Sequence, residues 1–124
     1  MENILSLKDE FKKVCEKSPI VYKVEDYGDY FQIYTKIFID FLDSYLNLYL
    51  IFEDKGPCLS DSNEIYRIFD GPFDITNEML EGFSKELNLD YNHYRFTKFV
   101  SPQTIENEIK KFEKLRDLII SNEN

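Results

Sequence analysis

Between Phe31 and Phe52 apolar residues recur at every second position, a periodicity that constrains the chain more than any motif in it. The odd positions Phe31, Ile33, Ile37, Ile39 and Phe41 are apolar, while Gln32, Lys36 and Asp40 between them are polar. After Asp43-Ser44 the phase shifts. Leu46, Leu48, Leu50 and Phe52 become the apolar set, and Asn47 and Glu53 the polar one. Two such runs predict one long antiparallel hairpin with a common buried face. A helix is the rival, because Tyr34, Ile37, Phe38, Phe41, Leu42, Tyr45, Leu46 and Tyr49 also recur at helical spacing. Strands are favoured, since aromatic and β-branched residues pack better on a pleated surface than on a helix.

The flanking segments supply partners for this hairpin. Ile4 to Lys17 reads as an amphipathic helix with Ile4, Leu7, Phe11, Val14 and Cys15 near one face, capped by Ser6 or Asn3 and ended by Pro19. Ile20 to Val24 reads as a strand, and Glu25 to Asp29 as the turn into the hairpin. Asp54-Lys55-Gly56-Pro57 is a second turn, with Pro57 arguing against a central strand there, and Cys58-Leu59-Ser60 adds a short fourth strand. Asp61 with Glu64 has the spacing of an N-cap and its capping-box partner, opening a helix through Ile65, Ile68 and Phe69 that stops by Gly71-Pro72. Asp74 or Thr76 begins another, with Met79, Leu80, Phe83 and Leu87 on one face and Asn88 as C-cap. Tyr91 to Val100 alternates as one further strand, with Tyr94 and Phe96 on one side. Ser101-Pro102 marks the start of a C-terminal helix striped by Ile105, Ile109, Phe112, Leu115 and Ile119, and Asn122 to Asn124 are expected to fray. The expected fold is α+β: a single domain over residues 1–124, with a mostly antiparallel three- to five-stranded sheet packed by N-terminal, middle and C-terminal helices.

Nine tyrosines and eleven phenylalanines in 124 residues exclude disorder by composition. Lys8, Asp9 and Glu10 interrupt the N-terminus before any apolar run, so no secretory signal is visible. The most apolar window, Ile37 to Phe52, contains Asp40 and Asp43 and falls short of the roughly 20 residues that cross a bilayer. A cytoplasmic protein without membrane partners is expected, with Cys15 and Cys58 as free thiols. The net charge of −9 is concentrated: from Glu53 to Asp90 ten acids face three bases, net −7. Such a field repels phosphates, which disfavours direct nucleic-acid binding and favours a partner with a basic groove.

The run Gly28-Asp29-Tyr30-Phe31-Gln32-Ile33-Tyr34, followed by Leu59-Ser60-Asp61-Ser62, by the helix around Asn77-Glu78-Met79-Leu80 and by Asp90-Tyr91, resembles a family of uncharacterised bacterial and prophage domains. There an Asp-Tyr-apolar-Gln-Ile-Tyr strand precedes a Leu-Thr-Asp-Asp-Gly turn. The resemblance spans residue 18 onward. The chain departs from it by a longer central hairpin and by Ser62-Asn63 in place of Asp-Gly. It implies a setting among mobile elements and carries over no catalytic residues.

Little in the chain points to chemistry. His93 is the sole histidine, Cys15 and Cys58 have no Cys-x-x-Cys spacing, and the four glycines never cluster into a phosphate loop. Asp26 with Asp29, Asp40 with Asp43, and Asp61 offer carboxylates for a metal-dependent hydrolase or nuclease, but they lie at expected turns and caps. No cofactor is expected. Aromatic residues on the polar phase of the hairpin, Tyr34, Phe38 and Tyr49, with Tyr27, Tyr30 and Tyr45 at its turns, exceed what a solvated face needs. Two explanations compete: the helix at 75 to 87 and the C-terminal helix cover both faces of the sheet, or part of the sheet is a protein-binding surface, and cover on one face is favoured. The expected function is non-catalytic: a phage- or prophage-borne inhibitor that mimics a polyanion and occupies a basic, nucleic-acid-handling or defence protein of the host. Its contacts are expected at Asp61, Glu64, Tyr66, Phe69, Asp70, Asp74, Glu78 and Glu81. An immunity protein against a basic toxin and the metal-dependent hydrolase are the alternatives, and a homodimer is left open.

Overall fold

The computed structural model describes residues 4–122, with Ile4 described in its backbone only. Met1 to Asn3, including the proposed Asn3 cap, lie outside the described residues, as do Glu123 and Asn124. The protein is a single α+β domain whose six antiparallel strands form one sheet in the order β1-β2-β3-β4-β6-β5. The strand count exceeds the expected three to five by one. The central hairpin is β2 (Tyr30–Ile39) against β3 (Ser44–Glu53), with Phe31 opposite Leu50 and Ile33 opposite Leu48. Alternation therefore prevails over the helical reading: Phe31, Ile33, Ile37, Ile39, Leu46, Leu48 and Leu50 are all buried. Phe41 is the exception, 43% exposed, because Asp40–Leu42 form a 3-10 turn between the strands rather than a continuation of β2. Its ring rests on Phe69 and Phe73, with centroids 5.6 and 5.5 Å away.

Two extra residues are accommodated in β2, where the register with β3 jumps between Tyr34 and Phe38. Thr35 bridges the gap: its hydroxyl donates to the Leu46 carbonyl at 2.6 Å and accepts from the Ile37 amide at 3.1 Å. A side chain thus replaces ladder bonds that the bulge removes. Outside the hairpin, β1 (Val21–Asp26) pairs with β2, and β4 (Gly56–Ser60) pairs with β3. The expectation that Pro57 bars a central strand is overturned. Strand β6 (Arg95–Phe99) pairs only with Cys58 to Ser60, so Pro57 sits where that pairing has ended and contributes its carbonyl to the Val100 amide.

Residues 90–99 form a hairpin rather than the single strand expected. Strand β5 (Asp90–Asn92) turns into β6 through His93 and Tyr94, both with left-handed backbone (φ 53° and 67°). Two consecutive left-handed residues suit a two-residue hairpin loop, a geometry usually signalled by Asn-Gly and invisible in His-Tyr. Helix α1 (Ile4–Lys17) is as the periodicity predicts. Helix α2 (Glu64–Phe69) is followed by α3 (Asn77–Leu87), which the Thr76 side chain caps at the Met79 amide. Helix α4 (Ile105–Ser121) starts later than Ser101-Pro102, because the Ser101 carbonyl closes a turn onto Thr104 and Ile105 first. Its stripe Ile105, Ile109, Phe112, Leu115 and Ile119 is wholly buried.

These helices place Phe11 and Cys15 of α1, Ile65 and Phe69 of α2, Leu80 of α3 and the α4 stripe in one core with the inward residues of β2, β3, β4 and β6. The core cluster lies on one sheet face, and on the other only β4 buries residues, Cys58 and Ser60, among those described. That second face also carries Tyr30, Gln32, Tyr34, Phe38, Asn47 and Tyr49, none fully buried, with Tyr45 exposed.

Candidate protein-binding surface

The acidic segment supplies β4, α2, α3 and the loop between the two helices. Helix α2 ends at Phe69, Gly71 turns the chain with φ +107°, and the Phe69 carbonyl accepts the Phe73 amide at 3.0 Å, which folds the 70–76 loop back on the helix. Asp70 and Asp74 are held on the rim of a cleft of about 650 Å³ whose wall includes Phe73, Ile75, Met79 and Ile119. Phe73 is fixed by ring contacts to Phe69 and Phe41. Asp74 precedes α3, so of these acids only Glu78 and Glu81 stand one turn apart on that helix.

Asp70, Asp74, Glu78 and Glu81 are exposed and make no ion pair among the described residues. Glu64, by contrast, is bound to Arg67 one turn along α2. The field of Asp70 is felt at the Tyr66 hydroxyl, which it pushes above its ordinary range. Tyr66 is half-buried, and its ring packs on Tyr94 with centroids 4.6 Å apart.

Two of the expected contact residues offer no surface. Phe69 is 0% exposed in the core. Asp61 is also 0% exposed, and its carboxylate accepts backbone amides from Asn63 (3.3 Å), Ile65 (3.0 Å) and Phe96 (2.8 Å). Burial pushes this acid up to about 6 despite those three bonds, each of which favours the ionised form. Asp61 is thus a strut rather than a contact; the N-cap position of α2 falls on Asn63 instead of Asp61, and Glu64 turns to Arg67 instead of closing a capping box. Of the eight residues, the structure brings Asp70 and Asp74 to one cleft, leaves Glu78 exposed on α3 outside its lining, sets Glu81 in a second cavity with Tyr94, and packs Tyr66 against the Tyr94 ring.

The open sheet face is a second aromatic surface. One row crosses all six strands, Glu25, Gln32, Tyr49, Ser60, Thr97 and Asp90 standing in register. Rings lean on one another there: Tyr27 stacks on Tyr30 at 5.3 Å, Tyr30 meets Tyr49 at 6.0 Å, and Phe38 meets Tyr45 at 5.2 Å. Tyr27 and Tyr34 both donate to Glu25, whose carboxyl is held below its ordinary range chiefly by the Tyr34 bond. Thr97 and Phe99 also lie on this face and were hidden from sequence reading by the unrecognised β5–β6 turn.

Carboxylate chemistry finds less support in this arrangement. Asp26 is tied to Lys8 and to the Gly28 amide, and no group of three or more metal-ligating side chains converges among the described residues. No helix among those residues is long and apolar enough to cross a membrane. No protein-family model matches the chain, and neither a curated protein nor a solved structure does.

Proposed function

We propose that the protein is a non-catalytic binding module that occupies a basic surface of a nucleic-acid-handling or defence protein, displacing the polyanion that surface normally holds. The observation that carries this reading is the cleft rimmed by the unpaired carboxylates of Asp70 and Asp74 over the apolar side chains of Phe73, Met79 and Ile119, with Glu78 exposed and unpaired on the helix that supplies Met79. The charges raise the association rate and select a basic partner, while the apolar wall supplies the contact that holds it. Unpaired acids serve this role better than paired ones, because no intramolecular salt bridge has to be broken on binding. The resemblance of residues 28–34 and 59–62 to uncharacterised bacterial and prophage domains supports a setting in which a mobile element meets a host protein.

Capture from host lysate at low salt, followed by salt titration of the retained complex, tests the reading. A basic nucleic-acid-binding protein is expected, released by salt and lost with Asp74→Lys combined with Glu78→Lys. Retention indifferent to salt and to both substitutions overturns it.

A further inference from the structure

A second, smaller cavity lies between the start of α3 and the β5–β6 turn. It measures about 240 Å³ and is lined by Asn77 and Glu81 of α3 and by Tyr91, Asn92, His93 and Tyr94 of the hairpin. That volume is below the range of a site for a whole small molecule and suits the head of one side chain. Its walls are aromatic and its one formal charge is the Glu81 carboxylate, which is exposed and unpaired among the described residues. Neither Lys85, one turn further along α3, nor Arg95, opposite Asn92 in the hairpin, makes an ion pair with Glu81 among the described residues.

The walls are held in place. The Tyr91 hydroxyl donates to Asn77 Oδ1 at 2.5 Å, and the Tyr94 ring, 43% exposed, is backed by Tyr66. The turn itself is anchored by Asn63, whose side-chain amide donates to the His93 carbonyl at 3.3 Å. His93 and Tyr94, like the adjoining Ser62 and Asn63, have left-handed backbone at positions where glycine would sit without strain. A tyrosine at such a position presents a ring that glycine lacks. Burial, ahead of its neighbours Tyr66, Tyr94, Asp61 and Glu81, pushes the Tyr91 hydroxyl up to about 12, so the phenol stays neutral in the cavity wall. Aromatic faces beside a carboxylate attract a cation, and a flat guanidinium satisfies both at once, stacking on a ring while its N–H fork meets the carboxylate.

We propose that this tyrosine-walled cavity receives one arginine side chain of the basic partner, its guanidinium lying on the Tyr94 ring and forked onto the Glu81 carboxylate. The assignment rests on the binding-module reading and deepens it, since it names the residue type that the partner must present beside the acidic cleft.

The test is a titration of the whole chain followed by backbone amide resonances, with N-acetyl-arginine amide as probe and N-acetyl-citrulline amide as its uncharged counterpart. Saturable shifts are expected at Asn92, His93 and Tyr94 with the arginine probe and none with the citrulline probe. Tyr94→Ala should weaken binding about fivefold. Glu81→Gln, on the exposed side of α3 and neutral to the fold, should weaken it about tenfold. Equal shifts from citrulline, shifts centred on Asp70 and Asp74 instead, or unchanged affinity in both variants overturn the assignment. If the probe binds as described while no basic protein is retained from lysate, the binding-module reading fails and the arginine site stands. If a basic protein is retained equally by Glu81→Gln and Tyr94→Ala, the site fails and that reading stands.

Discussion

Asp61 Oδ1 lies 2.8 Å from the amide nitrogen of Phe96, a hydrogen bond between a carboxylate that follows β4 and a strand that arrives 35 residues later. The same side chain accepts from Asn63 and Ile65, so one buried group serves the start of α2 and the edge of β6 together. Asp61→Ala leaves these amides unpaired away from water. A loss of about 3 kcal/mol or more is expected in urea unfolding.

The pH dependence of stability should carry the same residue's mark. Its folded pKa, about 6, is above the 3.8 of an unperturbed aspartate, so between these values the folded chain binds more protons than the unfolded chain. Stability from this group is therefore greatest below about pH 4 and declines as pH rises towards 6, by about 3 kcal/mol at 1.36 kcal/mol per unit. Glu25 and Asp26 act oppositely, because their lowered values give stability that is lost as pH falls. Chemical unfolding across pH 4 to 7 should show the Asp61 decline in the parent and not in Asp61→Asn. An identical slope in both would exclude Asp61 as its source.

Leu48→Ala and Phe41→Ala discriminate the register of the central hairpin. Leu48 is 0% exposed and should lose about 2–5 kcal/mol. Phe41 touches Phe69 and Phe73 from the surface, and about 1–2 kcal/mol is expected. Denaturant midpoints in the reverse order would mean that the strand faces are exchanged.

The β2 bulge depends on one hydroxyl. Thr35→Val keeps the shape but orphans the Leu46 carbonyl and the Ile37 amide, at about 2–3 kcal/mol. Thr35→Ser keeps both bonds and gives up one buried methyl, at about 1 kcal/mol. Calorimetry should find serine the milder change.

Neither cysteine should react in the native protein. Burial pushes the Cys15 thiol up to about 12 and raises that of Cys58, so little thiolate exists at pH 8. Labelling by iodoacetamide is expected only at the rate of unfolding, with mass spectrometry as the readout.

Where burial follows a simple period, the fold was legible. Leu46, Leu48 and Leu50 on the strand and Ile105 through Ile119 on the last helix are buried as the spacing of the sequence implies. The β5–β6 turn was not legible, since His93 and Tyr94 adopt left-handed backbone without the glycine or asparagine that announces it, and tertiary contact with Asn63 and Tyr66 supplies what local preference withholds. Phe41 misled for a related reason: the alternation continues into residues that have already left the strand. For the site, charge along the chain located the acidic segment but not which of its acids face outward. Asp61 and Asp70 look alike in sequence, and only packing separates the strut from the rim.

The strand order also has a kinetic consequence. Strands β1 to β4 follow one another as hairpins closed by short turns, so they form a meander of local contacts, whereas β4 meets β6 only when Ser60 finds Thr97 across two intervening helices. The β4–β6 seam is where sheet assembly must wait for a long loop to close, and the same seam is the natural line along which the native sheet divides into cooperative units. Amide exchange in β5 and β6 should then report opening events that leave β2 and β3 protected, with the Asp61 carboxylate as the clasp between the two parts.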